Sequence, residues 1–286
     1  MPCRRRHGCV AGTLLLLGAC SADHFTVRPA PLWPFKQYAV SASNGPEMTA
    51  FYSRPDAEPR RLVVVVQSPP CAAVPDQPHA MQTISTSGVL WKQLSPDSAY
   101  IQFDRVGPQA DAEQDCESAP QTTESWRQQA ASTITAIRKA EGLRSPATLY
   151  FGLGEGAYVA SLLAARDRHA AGLVLINGSG MSSGVVKLAP RVPVLIVHGS
   201  DDDRTALEDA ERLFSKLVTR KQEVALVVLD AYSHDLNLGS DRPECFEAAM
   251  QLIAARARTM TAARSKHGLR ERSDCTRVMR EFADGR

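Results

Sequence analysis

The feature that most constrains the fold of this chain is a series of short apolar runs separated by longer amphipathic segments. The clearest runs are residues 61–67, 99–104, 147–151, 171–176, 192–197 and 223–229. Runs of this length that are rich in β-branched residues are typical of strands buried on both faces of a parallel sheet. Apolar residues at three- and four-residue spacing predict helices over residues 123–141, 205–219 and 244–258. The alternation predicts a doubly wound α/β sheet, with a hairpin of residues 35–43 and 47–53 at one antiparallel edge.

The start of the chain predicts a targeting segment instead of part of this fold. Three arginines, Arg4 to Arg6, precede an apolar stretch at residues 10–17 that is too short to span a bilayer. The stretch ends in Leu17-Gly18-Ala19-Cys20, which resembles the lipobox of bacterial lipoproteins. The resemblance implies cleavage before Cys20, a lipid on its thiol, and, with Ser21 next, sorting to the outer membrane with the domain facing the periplasm. An ordinary secretory signal with a chance cysteine is the alternative.

Four regions follow from this pattern. They are a signal peptide at 1–19, a lipidated, proline-containing tether at 20–34, an α/β domain at 35–260 and a basic extension at 261–286. The whole chain carries a net charge of +2, and loss of three arginines leaves 30 basic against 31 acidic residues. A near-neutral protein has no electrostatic reason to bind nucleic acid. The predicted contact is therefore with a membrane, through the lipid, and the extension is predicted to be a solvated helix instead of a binding arm.

The cysteines that would remain after lipidation are even in number, as expected in an oxidising compartment. They are Cys71, Cys116, Cys245 and Cys275. Three pairings are possible, and we favour Cys71 with Cys116 and Cys245 with Cys275, since the second pair would staple the extension to a helix. No pair or cluster has metal-ligand spacing, so we expect no metal and no cofactor.

One turn deserves the most weight for function. Residues 151–166 read FGLGEGAYVASLLAAR, a strand end, a glycine-rich turn and a helix of small residues. The same arrangement with the pattern G-x-S-x-G forms a nucleophile elbow, in which serine stands at the apex. In this chain the apex is Gly154, which takes a strained turn conformation at little cost but supplies no hydroxyl.

The order of these elements, together with three motifs, resembles the α/β-hydrolase fold of serine esterases and peptidases. The motifs are Asp104-Arg105-Val106-Gly107 after the fourth strand, His198-Gly199-Ser200-Asp201-Asp202 after the seventh, and a histidine loop at 230–235 after the eighth. The resemblance implies an eight-stranded, mostly parallel sheet with helices on both faces. It also implies Asp202 as the acid and His234 as the base of a triad whose nucleophile position is Gly154. The segment at 177–191 is too short for a cap domain.

The predicted pocket has few donors and no obvious replacement for the serine. The backbone N–H of Glu155 is the oxyanion donor that the resemblance implies, whereas Pro69, in the loop that begins at Ser68, has no N–H. Tyr232 is expected to line the same cleft. Three side chains are considered as substitute nucleophiles. Glu155 is one position off the apex, so its side chain should not point at the acyl site, and turn capping explains Ser68 and a disulfide explains Cys71 as well.

Three functions are consistent with these residues. The first is an envelope-anchored, non-catalytic protein that binds a small acyl ligand or an envelope protein. The second is an esterase- or peptidase-like hydrolase in which His234 and Asp202 activate a water molecule. The third is a spacer that binds nothing.

Overall fold

The fold is known from a computed structural model that describes most of the chain after the predicted signal. The described residues are 25–28, 35–41, 47–67, 86–106, 123–144, 146–178, 192–234, 236, 243–260 and 268–283. Predictions about Cys20, Ser68, Pro69, Cys71 and Cys116 lie outside these residues.

Ten strands form a single mixed sheet. They are β1 (Phe25–Arg28), β2 (Lys36–Ser41), β3 (Glu47–Ser53), β4 (Arg61–Val66), β5 (Ser98–Val106), β6 (Ala147–Leu153), β7 (Ala170–Ile176), β8 (Val194–Gly199), β9 (Val224–Leu229) and β10 (Leu269–Ser273). Their order is β1-β2-β3-β5-β4-β6-β7-β8-β9-β10. The pairs β1 with β2, β2 with β3 and β3 with β5 are antiparallel, and all other pairs are parallel. The eight predicted strands are therefore present as β2 to β9.

Within the described residues, six helices cover the two faces of the sheet. They are α1 (Thr86–Leu94), α2 (Thr123–Ala140), α3 (Gly156–Arg166), α4 (Leu207–Thr219), α5 (Pro243–Met260) and α6 (Cys275–Ala283). Helices α2, α3 and α4 pack in one apolar layer, and α1, α5 and α6 pack in the other. Strand β4 explains why the central runs are uninterrupted: Val64 and Val66 belong to the first layer and Val63 and Val65 to the second, all four fully buried. Alternate side chains of a central strand thus need to be apolar on both faces.

The two outer strands correct the predicted eight-stranded sheet to ten. Strand β1 lies within the predicted tether and pairs with β2 over four residues, so this part of the chain belongs to the sheet. Strand β10 lies within the predicted extension and pairs in parallel with β9 from Leu269 to Ser273. Both strands are short and carry few apolar residues, because an edge strand has one neighbour and less burial than a central strand.

The C-terminal extension is held to the domain as well as paired with it. Cys245, near the start of α5, forms a disulfide with Cys275, the first residue of α6, with Cα atoms 5.3 Å apart. Val278 on α6 is fully buried in the same layer as α5. The predicted staple is therefore present, but the helix that it fixes is half-buried and not simply solvated.

Helix α1 is an element that the sequence pattern did not predict. Its nine residues include Gly88, which weakens helix propensity, and its fully or nearly fully buried apolar side chains are Val89, Leu90 and Leu94. Those side chains pack in the layer of α5. Across the described ranges, no helix combines the length and the apolar character needed to cross a membrane.

Candidate active site

The turn after β6 has the shape that its glycines predict. Gly154 has a φ of 53°, in the left-handed region, and its backbone N–H donates to the carbonyl of Ile176, 2.9 Å away. A Cβ atom on Gly152 would lie 2.3 Å from the Cα atom of Ala157, and one on Gly156 would lie 2.2 Å from the carbonyl oxygen of Val66. Glycine is thus required at both flanking positions so that α3 can start directly against β6 and β4.

The apex of this turn is buried but carries no side chain. Glu155, the next residue, is the N-cap of α3 and has an exposed side chain, as predicted for a residue one position past the apex. The first backbone N–H groups of α3 leave a partial positive charge at its N-terminus. The elbow therefore keeps its backbone geometry and its helix dipole, and it lacks only a nucleophilic atom.

The predicted acid, Asp202, lies on the loop after β8 with its side chain fully buried. Its Oδ1 atom accepts the backbone N–H groups of Arg204 and Thr205, each at 2.9 Å, and its Oδ2 atom accepts the hydroxyl of Thr205. Burial alone would raise the pKa of this carboxyl group, but the hydrogen bonds from Thr205, Arg204 and His234 outweigh burial and lower it. Asp202 is therefore a carboxylate at neutral pH, and it also organises the turn before α4.

The predicted base, His234, lies on the loop after β9 and meets that carboxylate. Its Nδ1 atom is 2.9 Å from Oδ1 and 3.0 Å from Oδ2 of Asp202, and 13% of its side chain is exposed. With Nδ1 facing the acid, Nε2 is the ring nitrogen left for a proton or a ligand. The structure thus brings together the two residues that the sequence placed 32 positions apart.

His198, the penultimate residue of β8, lies beside the acid and is fully buried. Its Nε2 atom lies 3.0 Å from the carbonyl oxygen of Thr205 and 3.7 Å from Oδ2 of Asp202. Donation by Nε2 to that carbonyl fixes the ring against the acid loop. His198 is part of the wall of the acid loop and does not reach solvent.

Tyr232 does not line an open cleft, which corrects its predicted role. Its side chain is fully buried, and its hydroxyl donates to the backbone carbonyl of Cys245, 2.9 Å away. Its own carbonyl accepts the N–H of Asp201 at 3.0 Å, and a Cβ atom on Gly199 would lie 2.1 Å from that same oxygen. Tyr232 is therefore an anchor of the histidine loop to α5 and to the acid loop.

Asn177 is the residue of this site that sequence reasoning missed, since it lies in the segment at 177–191 that was considered only as too short for a cap domain. It directly follows β7, is 1% exposed and has a φ of 46°. Its side chain bonds to the backbone of both His234 and Gly199. The pair Asn177-Gly178 at the end of a strand was the available signal, because asparagine adopts the left-handed conformation more readily than most residues.

No group of three or more metal-ligating side chains occurs in the part of the chain that the structure describes. The chemistry available to Asp202 and His234 is proton transfer and hydrogen bonding by His234.

Comparison with known proteins places the fold. No protein-family model matches the chain, and no curated protein matches it in sequence. Solved structures do match, among them an α/β serine hydrolase homologue from Coxiella burnetii (14% identity, TM-score 0.56, 77% of this chain and 96% of that chain). An α/β serine hydrolase without lid from Xanthomonas campestris matches at 16% identity and a TM-score of 0.57, over 79% of this chain and 97% of that one. Dienelactone hydrolase from Anabaena variabilis matches at 14% identity and a TM-score of 0.57, over 77% and 96%.

This protein therefore has the α/β-hydrolase fold, and no cap domain is present among its described residues. The strand order agrees with the predicted class. So do the positions of the elbow after β6, the acid after β8 and the histidine after β9. Identities of 14 to 16% establish the fold and leave activity to be argued from the site.

Proposed function

We propose that this protein is an envelope-anchored, non-catalytic α/β-hydrolase-fold protein that binds a small acyl compound or an envelope partner at the cleft above Gly154. The observation that carries the proposal is the contrast within the site. The histidine and acid are 2.9 Å apart, and the apex of the elbow is a glycine with a φ of 53°.

Loss of the apex hydroxyl removes a specific step of catalysis. A serine hydrolase attacks the acyl carbon with Oγ, transfers the proton to histidine and forms an acyl-enzyme. Gly154 has no atom that can form this bond, and the neighbouring Glu155 side chain is exposed to solvent. Two-step covalent catalysis is therefore closed to the elbow, whereas binding beside it is not.

The remaining groups favour a ligand with a carbonyl or carboxylate oxygen. The N-terminus of α3 carries a partial positive charge beside the apex, and the ring of His234 is partly exposed. A small acyl compound would place its oxygen near these groups and fill the space where a serine side chain would stand. The predicted proline pair at Pro69 and Pro70 would supply no further N–H donor, which suits weak and reversible binding.

Anchoring to the envelope is supported by the sequence of the first twenty residues. The basic residues, the short apolar stretch and the Leu-Gly-Ala-Cys sequence stand in the order that bacterial lipoproteins share. Strand β1 begins at Phe25, five positions after the predicted lipidated Cys20. The lipid would therefore hold the antiparallel edge of the sheet close to the membrane.

Hydrolysis by activated water is the second candidate, and the intact acid–histidine pair favours it. With Asp202 holding Nδ1, the Nε2 atom of His234 is oriented to remove a proton from a water molecule in the vacated space. Such a mechanism lacks the covalent step, so it predicts slow turnover. The hydrogen bonds of Asp202 to the turn at Arg204 and Thr205 give the acid a structural role that does not require catalysis.

The test compares turnover and binding in the chain that begins at Ser21. We expect no hydrolysis of 4-nitrophenyl acetate above that of the matched variant His234→Ala, and we expect butyrate to shift NMR signals of the parent near His234. Hydrolysis that disappears in His234→Ala would establish the water mechanism in place of binding. Absence of both hydrolysis and binding of any acyl compound or envelope protein would leave the spacer role, since a bound ligand must raise the stability of the native state.

A further inference from the structure

We propose that Asn177 is the positioning residue of this site, and that its side-chain amide sets the distance between the acid loop and the histidine loop. The proposal rests on the proposed function in one respect, because it assumes that the protein uses His234. It concerns a residue that touches neither a ligand nor a reacting atom and acts through His234 and Asp202.

The position of β7 in the sheet gives Asn177 access to every part of the site. Strand β7 lies between β6, which ends at the elbow, and β8, which ends at the acid loop. The carbonyl of Ile176 accepts the N–H of Gly154 at 2.9 Å, and the N–H of Asn177 donates to the carbonyl of Val197 at 3.0 Å. The carboxyl ends of the three strands are therefore joined around this residue.

The side chain of Asn177 then bridges two loops that are far apart in sequence. Its Nδ2 atom donates to the carbonyl of His234 at 2.5 Å and to that of Ser233 at 3.1 Å. Its Oδ1 atom accepts the N–H of Gly199 at 2.8 Å. One buried amide thus fixes the backbone of the histidine itself to the strand end that leads into the acid loop.

A second link runs from the same residue to the acid. The hydroxyl of Thr205 lies 3.4 Å from the backbone carbonyl of Asn177, and the same hydroxyl donates to Asp202. Asn177 therefore contacts the histidine through its side chain and the residue that holds the acid through its backbone. The hydrogen-bonded side-chain bridge is the stronger of the two, and the contact with Thr205 supports it in setting the distance of 2.9 Å between His234 and Asp202.

Only asparagine meets all the demands of this position. The left-handed backbone, with a φ of 46°, would also suit glycine, but glycine has no side chain to bridge the loops. Aspartate has the same shape and would face the two carbonyls of the histidine loop with acceptors in place of donors. A residue that only ended a strand would not need a side chain that donates two hydrogen bonds and accepts one, as Asn177 does.

The experiment measures the hydrogen bond between His234 and Asp202 directly, without any ligand. In the purified, ¹⁵N-labelled protein, the Nδ1–H proton of His234 is assigned by its loss in His234→Ala, and its exchange with water is measured by NMR. The variants are Asn177→Asp and Asn177→Gly. The matched control is Gln222→Glu, because the buried amide of Gln222 also donates to a backbone carbonyl, that of Val192, at the opposite end of the sheet.

We expect exchange of the His234 proton to be faster by about tenfold or more in both Asn177 variants, since a lost buried hydrogen bond raises the population of open states. In Gln222→Glu we expect a loss of melting temperature with an unchanged proton signal. Unchanged exchange in Asn177→Gly would overturn the proposal even if Asn177→Asp does not fold. A parent without a protected proton, or a control that loses it equally, would also overturn it. Absence of binding by every acyl compound and envelope protein tested would overturn the proposed function and leave this proposal standing.

Discussion

The elbow and the acid–histidine pair differ in which parts of a serine-hydrolase site they contain. At the elbow, the backbone is held by close contacts of Gly152 and Gly156, yet its apex, Gly154, offers no side chain. On the loops after β8 and β9, Asp202 and His234 have both their side chains and a hydrogen bond of 2.9 Å. The comparison shows that the shape of an active site and its reactivity depend on separate residues, because backbone packing maintains the first and a single hydroxyl the second.

The largest effect is expected where the elbow backbone is packed most closely. Gly156→Ala would place a methyl group 2.2 Å from the carbonyl oxygen of Val66, so we expect it to cost at least about 3 kcal/mol or to prevent folding. Gly142→Ala is the control for a methyl group added in open space: Gly142 has a φ of 63° and nothing lies within 4 Å of its added Cβ, so the substitution should cost only about 1 kcal/mol. Equal costs in urea unfolding would show that the elbow is not closely packed.

The second prediction tests whether the histidine loop can be destabilised without a change at the elbow. Removing the disulfide with the double substitution Cys245→Ser and Cys275→Ser should lower the free energy of unfolding by about 3 kcal/mol. Because Tyr232 donates to the carbonyl of Cys245, amide hydrogen exchange should accelerate in the histidine loop. Exchange at Gly154 should remain as in the parent. Acceleration at the elbow of the same size would contradict the separation of the two regions.

The acid should give a smaller, pH-dependent effect. Asp202→Asn should cost about 2 kcal/mol at pH 7, because a charged acceptor of several hydrogen bonds is lost. Hydrogen bonds lower the pKa of Asp202 below its ordinary value of 3.8, so its stabilisation is complete above that pH and is lost as the pH falls through the lowered pKa. The difference between parent and variant in urea unfolding should therefore shrink below about pH 4.

The control for the acid is Asp203→Asn, an exposed neighbour on the same loop. Its effect should stay within about 0.5 kcal/mol at each pH, as for most surface substitutions. A difference for Asp202→Asn that stays constant into acid would mean that the carboxylate is not the stabilising form.

The smallest effect concerns the apex itself. Gly154→Ser and Gly154→Ala should each cost about 1 kcal/mol, because a residue with a Cβ is strained at a φ of 53°. Urea unfolding of the two variants should give the same value, since the hydroxyl has no part in the cost. A stabilising effect of either substitution would show that the turn prefers a side chain there.

The strand order and the acid–histidine pair were predictable from sequence because each depends on a strong local pattern. Uninterrupted β-branched runs indicate strands buried on both faces, and the carboxyl ends of neighbouring parallel strands bring Asp202 and His234 together. Gly154 was equally clear, because its place between a strand and a helix defines the apex of the turn.

Other elements depend on partners that no local pattern shows. Strands β1 and β10 contain charged residues, and they form because a paired neighbour satisfies their backbone groups. Helix α1 is short and contains glycine, so its stability comes from packing of Val89, Leu90 and Leu94. The buried positions of Asn177 and Tyr232 follow from contacts with residues far along the chain, such as His234 and Cys245.

The most direct test of the account is acylation of the restored apex. The parent, Gly154→Ser, Gly154→Ala and Gly154→Ser with His234→Ala are each mixed with 4-nitrophenyl acetate, and the intact masses are measured. The account predicts an acetyl adduct at residue 154 in Gly154→Ser alone, because only that variant combines a hydroxyl with the intact acid–histidine pair. An unmodified Gly154→Ser that also shows no turnover, or turnover by the parent that His234→Ala abolishes, would contradict the proposal that this site lacks only its nucleophile and serves binding.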